Sequence, residues 1–124
     1  VIEGLIKEGA VIHKGQSAEN IPPNAKVVYT SDVQSDNPEY QAAIKMQCAM
    51  LHRSDLLAEL LQGHRALAVA GTHGKTTTSS LLATVLADAD LDPSFAIGGM
   101  LPAFQSNARF GNGDLFAFEA DESD

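Results

Sequence analysis

The chain has 124 residues, 44% of them hydrophobic, with sixteen acidic against eight Lys and Arg side chains and a formal charge of −8. That length supports one core, and the acidic balance argues against a nucleic-acid partner, whose phosphates need a basic stripe. The single cysteine, Cys48, excludes an internal disulfide and points to a reducing, cytoplasmic setting, and no apolar run approaches the ~20 residues of a membrane span. The chain opens on Val1, not methionine, and nothing closes it after Asp124, so a piece of a longer protein is expected.

Residues 1–8 read as the tail of a helix stopped by Gly9, and residues 10–13 as a short strand with a turn at Lys14-Gly15. A loop at 22–25 leads into a strand at 26–30. Asn37 followed by Pro38 marks a helix start, with Asn37 as N-cap and Pro38 in the first helical position. That helix runs to about Gln47, and residues 48–52 read as another strand. Ser54 or Asp55 caps a short helix over 56–61, which Gly63 ends. Residues 66–70, apolar and uncharged, read as a buried parallel strand. A helix over 78–87, a strand at 94–97, a long glycine-dotted loop at 98–113 and a final strand at 115–118 complete the chain. Short strands alternating with helices predict an α/β fold with a parallel sheet. A boundary falls near residues 62–65. Residues 1–63 read as the end of an N-terminal Rossmann-like domain whose first strand and glycine turn are missing. Residues 64–124 read as the start of a P-loop ATPase-type domain.

Gly71-Thr72-His73-Gly74-Lys75-Thr76-Thr77 lies between the strand at 66–70 and the helix at 78–87. Its glycines let backbone N–H groups curl around an anion with no Cβ in the way, and the helix start adds donors and partial positive charge. Lys75 would neutralise the β- and γ-phosphates of a nucleotide, and the Thr76 hydroxyl would ligate Mg²⁺. The general pattern G-x-x-x-x-G-K-[ST] has its first glycine where this chain has Val69, which leaves the shorter G-x-x-G-K-T-T. Even a G-x-x-G-K-T string arises by chance in roughly two of every thousand chains this long. A bound nucleotide phosphate is therefore the stronger reading, and a glycine turn with an accidental lysine the weaker.

Glu119-Ala120-Asp121-Glu122-Ser123-Asp124 follows the last strand. In an open parallel sheet, chemistry gathers at the carboxyl ends of strands, where the glycine loop also lies. Mg²⁺ takes one or two carboxylates together with phosphate oxygens and water, so Glu119, at the strand tip, is the first choice of metal ligand. The plainer possibility is a solvated acidic tail. His73, inside the loop, touches substrate or merely fills space. His13, His52 and His64 show no metal spacing and read as surface or strand-edge residues. Arg109 reads as a surface arginine in preference to an anion ligand, and Cys48 as a buried, inert thiol. Gly98-Gly99 either approaches a ligand closely or ends a strand.

The stretch from Ala70 to Thr78, together with Glu119 to Asp124, resembles the Mur ligases of peptidoglycan synthesis, and within them the alanine-adding branch. Ala18-Glu19-Asn20-Ile21, Asp36-Asn37-Pro38-Glu39 and Leu56-Leu57-Ala58-Glu59-Leu60 are similar to that family's N-terminal domain. Ile97-Gly98-Gly99 and Asn107-Ala108-Arg109-Phe110-Gly111 are similar to its central ATPase domain. A loop without the first glycine is normal in this family. The resemblance implies three domains that bind UDP, ATP and an amino acid, of which this chain holds the later part of the first and the opening of the second. It implies that Gly71, Thr72, His73, Gly74, Lys75, Thr76 and Thr77 bind ATP phosphates, with Lys75 on the transferred phosphate and Thr76 and Glu119 on Mg²⁺. It also implies UDP-N-acetylmuramate and L-alanine as substrates, joined through an acyl phosphate, and a chain that is inactive by itself. A tripeptide-recycling ligase shares the loop but usually has tyrosine where this chain has Ser123. A non-catalytic nucleotide-binding module and a generic P-loop hydrolase are also compatible with the glycine turn.

Overall fold

The computed structural model describes residues 2–120, and the chain divides into two compact units, Val1–Leu57 and Ala58–Asp124. In the first unit, helix α1 (Ile2–Lys7) buries none of its side chains, and a single 3-10 turn, Ala18–Asn20, is capped by Ser17. Strands β1 (Lys26–Tyr29) and β2 (Ala49–His52) pair in parallel, from Lys26 opposite Ala49 to Tyr29 opposite His52. Parallel neighbours need a crossover, and helix α2 (Pro38–Lys45) supplies it. Its start is dictated locally. Asn37 Oδ1 accepts from the N–H groups of Glu39 and Tyr40 at 2.9 and 3.2 Å, and Pro38 loses no helical bond at that position. Asn20 Nδ2 donates to Glu39 Oε1 at 2.6 Å, which ties the 3-10 turn to α2.

The strand expected at 10–13 does not form. Val11 is 77% exposed, and the two-stranded sheet of this unit consists of β1 and β2. An apolar run with no neighbour to take its backbone groups gains nothing from strand geometry. Helix α3 (Arg53–Leu61) starts directly after β2 and earlier than the expected 56–61. The side chains expected to cap it turn back instead. Asp55 Oδ2 accepts from the His52 N–H at 3.1 Å, and Ser54 Oγ bonds the His52 ring at 2.7 Å. Both residues are thereby drawn into the first helical turn.

The second unit contains β3 (Arg65–Val69), α4 (Lys75–Asp88), β4 (Ser94–Leu101), β5 (Ser106–Arg109) and β6 (Leu115–Glu119), in the sheet order β3-β6-β4-β5. The last strand in sequence is thus internal. β6 runs parallel to β3, with Val69 opposite Glu119, and parallel to β4, with Ala96 opposite Phe118. Leu115, Phe116 and Ala117 are accordingly buried. β3 lies at the sheet edge and alternates between exposed and half-buried positions, which corrects its reading as a fully buried strand. Helix α4 packs on β4 and β6, around a core of Ala83, Phe95, Ile97, Leu101 and Ala117 edged by Leu67, Leu82 and Phe104.

The long loop expected over 98–113 is in fact largely a hairpin. β4 continues through Gly98 and Gly99 to Leu101, and β5 returns antiparallel to it. The register slips between Ala96 and Leu101, so the two glycines occupy an irregular stretch of strand, a common place for glycine. Among the described residues no helix is long and apolar enough to cross a membrane.

Candidate phosphate and metal site

Gly74 is the N-cap of α4 and has left-handed backbone angles, φ 79 and ψ 7, which glycine adopts without a Cβ penalty. No side chain caps this helix end and no acidic residue sits in its first turn. The leading N–H groups of a 14-residue helix are therefore offered to an external anion. Lys75, Thr76 and Thr77 form that first turn, so the helix begins three residues before the expected 78, with Thr78 N–H bonded to Gly74 O at 3.0 Å. Lys75 Nζ donates to the carbonyl of Gly71 at 2.6 Å, folding the ammonium back over the turn. Gly71, Thr72, His73 and Gly74 are all exposed.

β6 brings Glu119 to the same end of the sheet. Its Oε1 accepts from Ser79 Oγ at 3.0 Å and from the Gly98 N–H at 3.1 Å. A Cβ on Gly98 would lie 3.0 Å from Glu119 Oε2 and 3.5 Å from Thr76 Oγ1, and one on Gly99 would lie 2.7 Å from Thr76 Cγ2. The hydroxyl and the second carboxylate oxygen thus flank one gap that the paired glycines keep open. Among the described residues no three His, Cys, Asp or Glu side chains converge. A single carboxylate and a hydroxyl beside a glycine turn with open N–H groups suit Mg²⁺, which fills its shell with phosphate oxygens and water. Asp121, Glu122, Ser123 and Asp124 lie outside the described residues.

Ser79 was not singled out from sequence. It belongs to an unbroken hydroxyl run, Thr76-Thr77-Thr78-Ser79-Ser80, and only helical phase turns it toward the sheet. The weaker candidates resolve differently. Arg109 pairs with Asp92 at 2.5 Å, donates to Pro93 O at 3.3 Å and lies 5.3 Å over the Phe104 ring, so it is committed to the hairpin. The Asn112 N–H, followed by Arg109, holds the Asp92 carboxyl below its ordinary range. His64 is half-buried and directly precedes the edge strand β3. Its ring meets Phe110 and Phe116 edge-on at 5.4 and 5.7 Å, and its Nδ1 is buried without a hydrogen-bond partner. Cys48 is buried with a free thiol, as expected. In the first unit, a cavity of about 660 Å³ is lined by Tyr29, Thr30, Asn37 and Tyr40 among others, within the size range of small-ligand sites.

The sequence profile described as Mur ligase family, catalytic domain, matches residues 1–65, more than half of the chain. The chain belongs to the Mur ligase family. The matched segment ends at the first residue of β3, and similarity to individual relatives covers the remainder. The UDP-N-acetylmuramate–L-alanine ligase of Protochlamydia amoebophila is 62% identical over 99% of this Mur ligase chain and 27% of its own length. The enzyme of the same name from Streptomyces coelicolor is 52% identical over 94% of this chain and 25% of its own. The crystal structure of a Thermotoga maritima UDP-N-acetylmuramate-alanine ligase matches with a TM-score of 0.88 and 32% identity, over 95% of this chain and 28% of that one. The Neisseria meningitides ligase for UDP-N-acetylmuramate and L-alanyl-gamma-D-glutamyl-meso-diaminopimelate gives 0.82 and 32%, over 97% and 41%. This chain spans about a quarter of the length of the curated relatives it matches.

Proposed function

We propose that the protein carrying this chain is an ATP- and Mg²⁺-dependent cytoplasmic ligase that joins L-alanine to the carboxylate of UDP-N-acetylmuramate, in peptidoglycan precursor synthesis. Residues 1–63 are assigned to the end of its UDP-binding domain and residues 64–124 to the start of its ATP-binding domain. The observation that carries the reading is the meeting of three groups at the start of α4. These are the open N–H groups and Lys75 of the glycine turn, the Thr76 hydroxyl, and Glu119 held at the tip of β6. The 62% identity to an alanine-adding ligase over 99% of the chain supports the choice of substrates.

The chemistry accounts for these residues. A carboxylate is a poor electrophile, because its charge is delocalised and its oxygen is a bad leaving group. Transfer of the γ-phosphoryl of ATP to the muramoyl carboxylate gives an acyl phosphate. The amine of L-alanine attacks that carbonyl, and phosphate departs. The protein must position the phosphates and neutralise charge on the moving group. Gly71 to Thr77 would grip the phosphate chain through backbone N–H groups, and Lys75 would leave the Gly71 carbonyl for the transferred phosphoryl oxygens. Thr76 Oγ1 and Glu119 Oε2 would hold Mg²⁺, which supplies positive charge to the phosphate oxygens when bound.

The tripeptide-joining ligase is the second reading, favoured by its equal 32% identity at the level of solved structures. Coupled ADP release by the full-length protein separates the two. With UDP-N-acetylmuramate present, ADP is expected with L-alanine well above L-serine, glycine or the recycled tripeptide. Preference for the tripeptide would overturn the assignment, and no ADP release with any of them would leave a non-catalytic nucleotide module.

A further inference from the structure

Ser79 is fully buried in the second turn of α4. Its Oγ lies 2.8 Å from the carbonyl of Lys75, 3.2 Å from that of Thr76 and 3.0 Å from Glu119 Oε1. A hydroxyl has one proton to give. A buried helical serine commonly spends it on the carbonyl one turn back, with no wider consequence. Here a carboxylate from another element competes, and a charged acceptor makes the stronger bond. The Gly98 N–H reaches the same oxygen from β4 at 3.1 Å. Oε1 is therefore held by donors from two different elements, while Oε2 takes neither. Rotation about the last bond of a glutamate is otherwise broad, so two donors on one oxygen fix which oxygen faces the gap. That gap is the one beside Thr76 Oγ1, bounded by the missing Cβ of Gly98.

We propose that Ser79, together with the Gly98 N–H, is a positioning residue that locks the Glu119 carboxylate so that Oε2 is presented to a divalent cation opposite Thr76. The inference rests on Glu119 and Thr76 as the metal pair of the ligase reading. A clamp on the ligand, distinct from the ligand itself, should tune how tightly the metal is held without touching the contacts of the turn with phosphate.

The test is calorimetric titration of ADP into the full-length protein at graded Mg²⁺ concentrations and in EDTA, with melting recorded for each variant. Ser79→Ala is expected to raise the Mg²⁺ concentration that half-tightens ADP binding about ten-fold, as befits one lost bond to a charged group. The ADP affinity in EDTA should stay unchanged, and Ser79→Thr should restore the metal dependence. Gly98→Ala places a Cβ 3.0 Å from Oε2 at an exposed strand position. It should weaken the Mg²⁺ effect in the same way, which keeps the proposal testable if Ser79→Ala does not fold. Unchanged Mg²⁺ dependence in the folded alanine variants, an equal loss of ADP affinity in EDTA, or a loss that Ser79→Thr does not repair would overturn it. Glu119→Gln distinguishes the two possible failures. A Mg²⁺ effect that survives Glu119→Gln removes the metal reading itself. A loss there with none in Ser79→Ala removes only the clamp.

Discussion

The Lys75 ammonium bonds the Gly71 carbonyl at 2.6 Å in an exposed setting. A charged group's bond in so exposed a setting is screened by solvent and adds little net stability, so it does not hold the fold together. With a phosphate in the turn, the same charge would lie where negative charge moves during transfer. Lys75→Ala is therefore expected to lower kcat of the full-length protein by about a hundred- to a thousand-fold, the usual cost of removing one preorganised donor. Its melting midpoint should stay within about two degrees. Coupled ADP release and thermal melting on one preparation check both halves, and undiminished turnover would remove Lys75 from the chemistry. Lys75 could be singled out as a candidate from sequence because its proposed role rests on identity and short spacing, glycine-lysine-threonine before a helix. Ser79 could not, because its bond is to a carboxylate 40 residues further along the chain.

Elements whose cause is local were equally legible. Asn37-Pro38 starts α2 through bonds reaching two and three residues ahead. The segments misread from sequence depend on distant partners: residues 10–13 find none among the described residues, and residues 98–109 gain one in the β4–β5 hairpin. Asp92 shows how that hairpin is fastened. Its Oδ2 accepts from the N–H and Nδ2 of Asn112 at 2.8 and 3.1 Å, and its Oδ1 faces Arg109. The chain approaches so closely there that a Cβ on Gly113 would lie 2.0 Å from the Leu91 carbonyl oxygen. These donors favour the ionised carboxyl in the folded state, so its folded pKa lies below the ordinary 3.8. Its contribution is therefore complete above that ordinary value and fades as pH falls through the lower, folded one. Comparing Asp92→Asn with the parent by thermal melting between about pH 6 and pH 3 should show the parent ahead at the upper end and its lead shrinking in acid. A lead that is constant with pH would mean that the carboxylate charge plays no part in fastening the hairpin.

Across the whole chain, buried apolar side chains are unequally shared. Among the described residues, Ala83, Phe95, Ile97, Leu101, Leu115, Phe116 and Ala117 are buried in the second unit, whereas the first buries Ala43 and Cys48. A content of 44% hydrophobic residues did not reveal this, because burial depends on which strands become internal, and β6 does so only by inserting between β3 and β4. Burial contributes about 25 cal/mol per Å² of apolar surface, set against roughly 1–2 kcal/mol of backbone entropy per ordered residue. A two-stranded sheet is marginal on those terms, and the β1–β2 pair is such a sheet. Hydrogen exchange on the 124-residue chain should therefore find the amides of β4 and β6 slowest, protected at least about ten-fold beyond those of β1 and β2. Helix α1, which buries nothing, should exchange fastest of the helices. Protection in β1 and β2 equal to that in β4 and β6 would show that the first unit draws its stability from something other than its own buried side chains.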